Sequence, residues 1–362
     1  MPIHRRRVLK SLAALGGASL LPDATAWAKT PRFFRIGTGS TGGTYFPIGG
    51  LIASAISSPP GSRPCDRGGS CGVPDLIAVA QSTEGSVYNV AAVSEGRLES
   101  GLSQADVAYW AYTGTGVYEE AGRLPNLRAI ANLYPEALQF VVRVDSGVHR
   151  IPDLVGKRVS LDREGSGTLV DAKLVLSAWG LTPDDLEVVN YPPDHAVEEV
   201  RRGELDGFFL VAGTPTAAIT DLAHDTQIRL LPINGEEADW LLDRYPFFAR
   251  ALVGAGTYHS VPAIETLSVG AQWMVSAEVD EELVFGITAA LWHPTTRALL
   301  DGGHPKGELI TFGTALNGVG VPLHRGAKRY YEERGVTVIE VEPPLEDETP
   351  PDSGEPEAEA TQ

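Results

Sequence analysis

Gly37-Thr38-Gly39-Ser40-Thr41-Gly42-Gly43-Thr44-Tyr45-Phe46-Pro47 joins a strand-like run, Phe33-Phe34-Arg35-Ile36, to an apolar small-residue segment, Ile48 to Ile56, that reads as a helix. Strand, glycine-rich turn and helix start together make an anion site. Glycines let backbone N–H groups converge, and the helix end adds partial positive charge. A small anion, a carboxylate, is therefore expected at this loop. The same residues also spell G-x-G-x-x-G, the dinucleotide fingerprint. That motif needs an acidic residue about 20 positions on, at the end of the next strand. The chain has Ser57-Ser58-Pro59-Pro60-Gly61 there, and the strand Leu76 to Ala80 runs into Gln81-Ser82-Thr83, with Glu84 too far along. A dinucleotide site and a purely structural turn remain the alternatives to anion capture.

The termini set the compartment. Arg5-Arg6-Arg7-Val8-Leu9-Lys10 precedes a short apolar run, Ser11 to Leu21, and Ala26-Trp27-Ala28 has the A-x-A cleavage pattern. Residues 1–28 read as an export signal, with mature protein from Lys29 in the periplasm. The paired arginines fit twin-arginine export, and a general secretory signal is the alternative. Residues 340–362 hold nine acids, no base and five prolines. Such a segment buries too little surface to fold and reads as a disordered acidic tail. The whole chain carries −18 at neutral pH; the part from 29 to 339 carries −12. That balance excludes a basic nucleic-acid-binding face and makes any anion capture local. Cys65 and Cys71 lie close together in an exported chain and are expected to form a disulfide. A metal pair is the alternative, but no histidine lies nearby in sequence.

Between these ends the chain alternates strands and helices. Leu76 to Ala80 reads as a strand into Gln81–Ser86 and a helix from Val87. Leu102 onward gives a short strand and a helix ending near Gly114. Leu127 to Leu133 is a strand broken by Tyr134-Pro135-Glu136-Ala137, and Gln139 to Val144 is a further strand that crosses into a second lobe. Glu164-Gly165-Ser166-Gly167-Thr168 repeats the opening design of strand, turn and helix start. Leu205 to Val211 is followed by Gly213-Thr214-Pro215-Thr216 at another helix start. Thr266 to Val275 is the return crossing. The expected organisation is α/β: lobe I from 29–140 and 263–339, lobe II from 141–262, with two strand crossings as hinge. Helix starts facing each other across such a hinge define a closing cleft.

Taken in order, these motifs closely resemble the TAXI family, the extracytoplasmic solute receptors of TRAP transporters. The carrying residues are Gly37 to Pro47, Gly85-Ser-Val-Tyr-Asn-Val90, Ser103-Gln104-Ala-Asp106, and Ile151-Pro-Asp-Leu-Val-Gly-Lys-Arg158 with Gly165-Ser-Gly-Thr168. Leu205-Asp-Gly-Phe-Phe209 with Gly213-Thr-Pro215 completes the set. The resemblance runs from about Arg32 to Gly335. It implies a class II periplasmic-binding-protein fold, two α/β lobes joined by a strand hinge. It also implies capture of a small carboxylate (glutamate, 2-oxoglutarate or a related acid) and delivery to a membrane permease driven by an ion gradient. The turn Ser82-Thr83-Glu84 is less glycine-rich than the family's version.

The expected ligand-binding residues are Ser40, Thr41, Gly42, Tyr45, Ser82, Ser86, Asn89, Gln104 and Gln139 on the lobe I side. Ser166, Gly167, Thr168 and Thr214 are expected on the lobe II side. Arg143 offers a bidentate fork for a carboxylate. Glu136 or Gln139 is placed to meet an amino group or a hydroxyl. No G-x-S-x-G, H-E-x-x-H or Walker lysine occurs, so no catalytic residue, cofactor or metal site is expected. His293 and His304 read as surface or core residues. The chain is expected to act as a monomer. The competing readings are an exported dinucleotide-dependent enzyme and a ligand-sensing partner of a membrane sensor.

Overall fold

The computed structural model describes residues 30–341. The expected signal, and the tail beyond residue 341, lie outside the described residues. The first strand, β1 (Arg32–Gly37), leads through the glycine loop into α1 (Tyr45–Ile56). Two short pieces, β2 (Ser57–Ser58) and β3 (Val73–Pro74), flank the Cys65–Cys71 disulfide loop. Then come β4 (Leu76–Gln81), α2 (Ser86–Ser94), β5 (Ser100–Gln104) and α3 (Ala105–Thr113). The α3 helix stops at Gly114, whose φ of 73° suits a residue without a Cβ.

The next strand departs from the sequence reading. Tyr134-Pro135-Glu136-Ala137 does not break it: β6 runs unbroken from Leu127 to Arg143. Proline lacks the N–H a central strand needs. Here Pro135 is exposed and pairs with Gly270 on one side only, because pairing on the other side starts at Ala137. A bulge next to it absorbs the local irregularity.

The middle segment carries β7 (Arg158–Ser160), α4 (Gly167–Ala178), β8 (Glu187–Val189) and α5 (Pro193–Arg202). It continues with β9 (Gly207–Ala212), α6 (Ala217–Asp225), β10 (Ile228–Leu231), α7 (Glu236–Arg244) and β11 (Ala249–Val253). The return strand β12 (Ile264–Ser276) is followed by α8 (Glu281–Leu291), α9 (Pro294–Gly303) and α10 (Arg325–Glu332).

The fold is α/β, with one mixed sheet in the order β3-β2-β4-β1-β5-β12-β6-β9-β7-β8. β1 runs parallel to β4 and β5, and β7 runs parallel to β8 and β9. The long strands β6 and β12 lie between these two sets and are antiparallel to each other. β10 adds to the far end of β6, and β11 to the start of β12.

Four apolar cores follow this division. Phe34, Ile48, Trp273 and Tyr331 belong to one, and Val90, Trp110 and Met274 to another; both are built from the outer segments of the chain. The other two, around Phe140, Phe209 and Leu241 and around Phe208, Leu222 and Tyr258, are built mainly from the middle segment. Each fully buried side chain of this size contributes about 1.5–3 kcal/mol, so each set of cores holds its own strands and helices firmly. Among the described residues no helix is long and apolar enough to cross a membrane.

Candidate functional site

The outer and middle segments meet along the carboxyl ends of β1, β4, β5 and β7, where loops lead into helices. Open α/β sheets bind ligands there. A cavity of about 50 Å³ lies in the seam. Ser40, Tyr45, Ser86 and Gln104 line it from the outer segments, and Ser166, Gly167 and Thr168 from the middle segment. The structure therefore brings these seven expected residues together.

The middle-segment wall is built on the start of α4. Ser166 caps the helix, its Oγ accepting from the Leu169 N–H at 3.1 Å. The N–H groups of Gly167 and Thr168 belong to a first turn that lacks helical acceptors. Thr168 turns its own hydroxyl to β9, accepting from the Val211 N–H at 3.2 Å. Gly167 is required by close approach: a Cβ there would sit 1.5 Å from Gln104 Oε1.

Opposite, the Tyr45 hydroxyl donates to Glu136 Oε2 at 2.6 Å, with both side chains buried. Gln104 is held at both ends. Its Oε1 accepts from the Ser86 hydroxyl at 3.2 Å, and its amide donates to Asp171 Oδ2 at 2.5 Å across the seam.

Six expected residues do not line the cavity. Thr41 donates to Asp194 Oδ2 at 3.0 Å, beside the cavity. Gly42 leaves room for the same aspartate, since a Cβ would lie 1.9 Å from Asp194 Oδ1. The glycine spacing thus serves contact between segments. Ser82 donates to the Gly39 carbonyl at 2.8 Å. Asn89 is fully buried and spends its amide on the carbonyls of Thr38 and Leu102, 2.7 Å from each. Gln139, on β6, accepts from the Tyr258 hydroxyl at 2.7 Å. Thr214 stands ahead of the α6 start, outside the lining. Arg143, the expected fork, pairs with Asp145 at 3.0 Å, and also stands outside the lining.

The cavity has charged walls that motif reading largely missed. Glu136, expected with Gln139 to meet an amino group or a hydroxyl, lines it together with Glu84, Asp162 and Arg163. Burial pushes the Glu136 carboxyl up to about 8, against the hydrogen bond from Tyr45. Burial also raises Asp162 to about 6, opposed by the Arg163 N–H and the hydroxyls of Ser166 and Thr168. The buried Tyr45 phenol is held well above its ordinary value, first by desolvation and then by Glu136. Arg163 is half-buried, and its Nε meets no acceptor. The available signal was Asp162-Arg163 just after a strand and before the Gly165–Thr168 turn; position at a strand end carried the information.

The segments also touch outside the cavity. Thr44 donates to the Gly213 carbonyl at 2.9 Å, and the Tyr88 N–H to the Gly165 carbonyl at 3.0 Å. Trp110 packs edge-on against Phe247, with ring centroids 5.0 Å apart. The expectation of no histidine near the cysteines is corrected: folding brings His293 Nε2 to 3.9 Å from Cys65 Sγ. Both sulfurs are nonetheless in the disulfide.

Mixed sheet, crossing strands and seam cavity define an α/β protein built of two sets of strand–turn–helix units. The chain belongs to the NMT1-like family, whose sequence profile matches residues 36–335. Among solved structures it is similar to the alkanesulfonate-binding protein SsuA from Xanthomonas axonopodis pv. citri bound to MOPS. Identity is 16%, over 84% of this chain and 85% of that one, with a TM-score of 0.44. It is similar to the periplasmic aliphatic sulphonate binding protein SsuA from Escherichia coli, at 14% identity over 75% and 78% of the two chains and a TM-score of 0.41. A third is the ligand-binding component of an ABC-type import system from Staphylococcus aureus with zinc bound. It shares 9% identity over 84% and 92% of the chains, with a TM-score of 0.43.

Proposed function

We propose that the protein is a periplasmic solute receptor of the TAXI type that closes two lobes on a small amine-bearing carboxylate and passes it to a TRAP permease. The lobes are residues 29–140 with 263–339, and residues 141–262; β6 and β12 form the hinge. The observation that carries the reading is the seam cavity itself, with a helix start and Arg163 on one wall and Glu136 on the other. Arg163 and the first turn of α4 take the carboxylate, as a guanidinium and unpaired N–H groups favour negative charge. Glu136 and Asp162 take a protonated amine, which in turn draws the buried Glu136 back to its ionised form.

This narrows the expected ligands. An α-amino acid such as glutamate satisfies both walls, whereas 2-oxoglutarate leaves Glu136 and Asp162 facing only negative charge. Closure on the solute then shifts an open–closed equilibrium by the solute's preference for the closed form.

The test is calorimetric titration of the mature chain with L-glutamate and with 2-oxoglutarate. Binding of L-glutamate at least tenfold tighter than 2-oxoglutarate is expected. Preference for 2-oxoglutarate, or binding of neither, removes the amine-bearing carboxylate from this reading. Mass spectrometry of solute co-purified with the chain identifies the ligand directly.

A further inference from the structure

Behind Gln104, just outside the cavity, lies a second pair of acids. Asp106 stands in the first turn of α3 and Asp171 in the second turn of α4, so one comes from each side of the seam. Both are fully buried, with no exposed surface. Their carboxyls are within hydrogen-bonding reach of each other. Gln104 supplies a donor to Asp171 Oδ2, Asp171 Oδ1 meets none, and Asp106 is faced only by the backbone N–H groups of its own helix start, those of Asp106 and Val107. Two ionised carboxylates cannot share such a position, because like charges and lost hydration both oppose it. One proton between them converts repulsion into a carboxyl–carboxylate hydrogen bond.

We propose that Asp106 and Asp171 form a proton-binding site completed only when the two segments close, so that the receptor takes up one proton with its solute. This deepens the receptor reading and rests on it for the closing motion. The proton comes from solvent and returns there on opening: two separated carboxylates plus a proton become one carboxyl hydrogen-bonded to one carboxylate.

α3 packs on α2, β5, β6 and β12, and α4 on β9 and α7. From β6, Glu136 acts on the pair with the same sign of charge. Lys306 and Tyr45 act on Glu136. From β5 comes the neutral amide of Gln104. β9 and α7 contribute Phe209, Val211, Ala238 and Leu241 to the core around α4. In keeping with this geometry, burial raises Asp106 to about 6, and burial with the neighbouring Asp106 drives Asp171 well above its ordinary value. A raised group favours the closed form at low pH and ceases to favour it as pH rises through the closed-state value.

The experiment uses the full mature chain and its Asp171→Asn variant, whose amide donates to Asp106 without needing the proton. Spin labels at Glu95→Cys and Glu187→Cys, both exposed and on opposite sides, report closure by pulsed electron resonance. Without solute, the short-distance population should grow as pH falls from 8 to 5 in the otherwise native chain and grow distinctly less in the Asp171→Asn chain. A flat profile in the native chain, or the same slope in both, overturns the proposal.

Titration with L-glutamate at pH 7 in buffers of different ionisation enthalpy gives the stoichiometry. About one proton more taken up per solute than by Asp171→Asn is expected; equal uptake in both chains also overturns it. Absence of any heat with L-glutamate counts against the ligand assignment alone, and the distance profile then decides the proton site.

Discussion

Glu136 is the residue on which the ligand assignment turns. Its sequence context, Tyr134-Pro135-Glu136-Ala137, read as a strand break, and broken strands place their side chains unpredictably. Continuity of β6 instead points Glu136 inward, where Tyr45 holds it. Glu136→Gln keeps the shape but removes the charge proposed to meet the amine. A hydrogen bond to a charged group is worth about 1.5–3 kcal/mol, so L-glutamate affinity should fall roughly 10–100-fold. Calorimetry checks this, and an unchanged affinity would move the amine elsewhere. Gly42 makes a second case at this scale. Gly42→Ala drives a methyl into Asp194 and should weaken solute binding while leaving the melting temperature of the solute-free chain nearly unchanged, as thermal denaturation with and without L-glutamate would reveal.

At the level of elements, the strand–turn–helix unit was legible twice over. β1 with α1, and β7 with α4, both appeared where glycine and hydroxyl residues interrupt apolar runs. The capping role of Ser166 follows from the same chemistry, because a short oxygen-bearing side chain satisfies a free N–H at a helix start. Replacing it in Ser166→Ala should cost about 1 kcal/mol of stability. In a chain of this size that lowers the melting temperature by about 2 °C, measurable by circular dichroism. Less legible were β11 and α9. The first is largely exposed and takes its strand form from pairing with β12, and the second is short and capped by His293. Local sequence gives little sign of an element whose reason for existing is a partner elsewhere.

For the molecule as a whole, the unusual feature is buried acid concentrated at one seam. Asp106 and Asp162 are raised to about 6 and Glu136 to about 8, in each case chiefly by burial. The sign follows from linkage. These groups hold protons in the folded chain at pH values where the unfolded chain has released them. Their contribution is therefore complete below the ordinary carboxylate range and declines as pH rises through 6 and then 8. The melting temperature of the solute-free chain should fall between pH 5 and pH 8, and Asp171→Asn should flatten part of that fall. Calorimetric scans across the range check both, and a melting temperature that rises with pH would contradict the burial argument. L-Glutamate at 100 times its Kd should raise stability by about 2.7 kcal/mol.

The sequence by itself determined the alternation of strands and helices, the two glycine-hydroxyl turns, and the pairing of Cys65 with Cys71. Each of these is carried by local pattern, whether periodicity, turn chemistry or close spacing. Only the tertiary structure decided which turn residues face the cavity and which, like Asn89 and Ser82, are spent on backbone carbonyls. It alone set Asp162 and Arg163 across the cavity from Glu136, and Asp106 against Asp171, residues 65 positions apart. The reason is physical. Propensity acts between neighbours in sequence, whereas charge and desolvation act between neighbours in space, and a cleft is made of the latter.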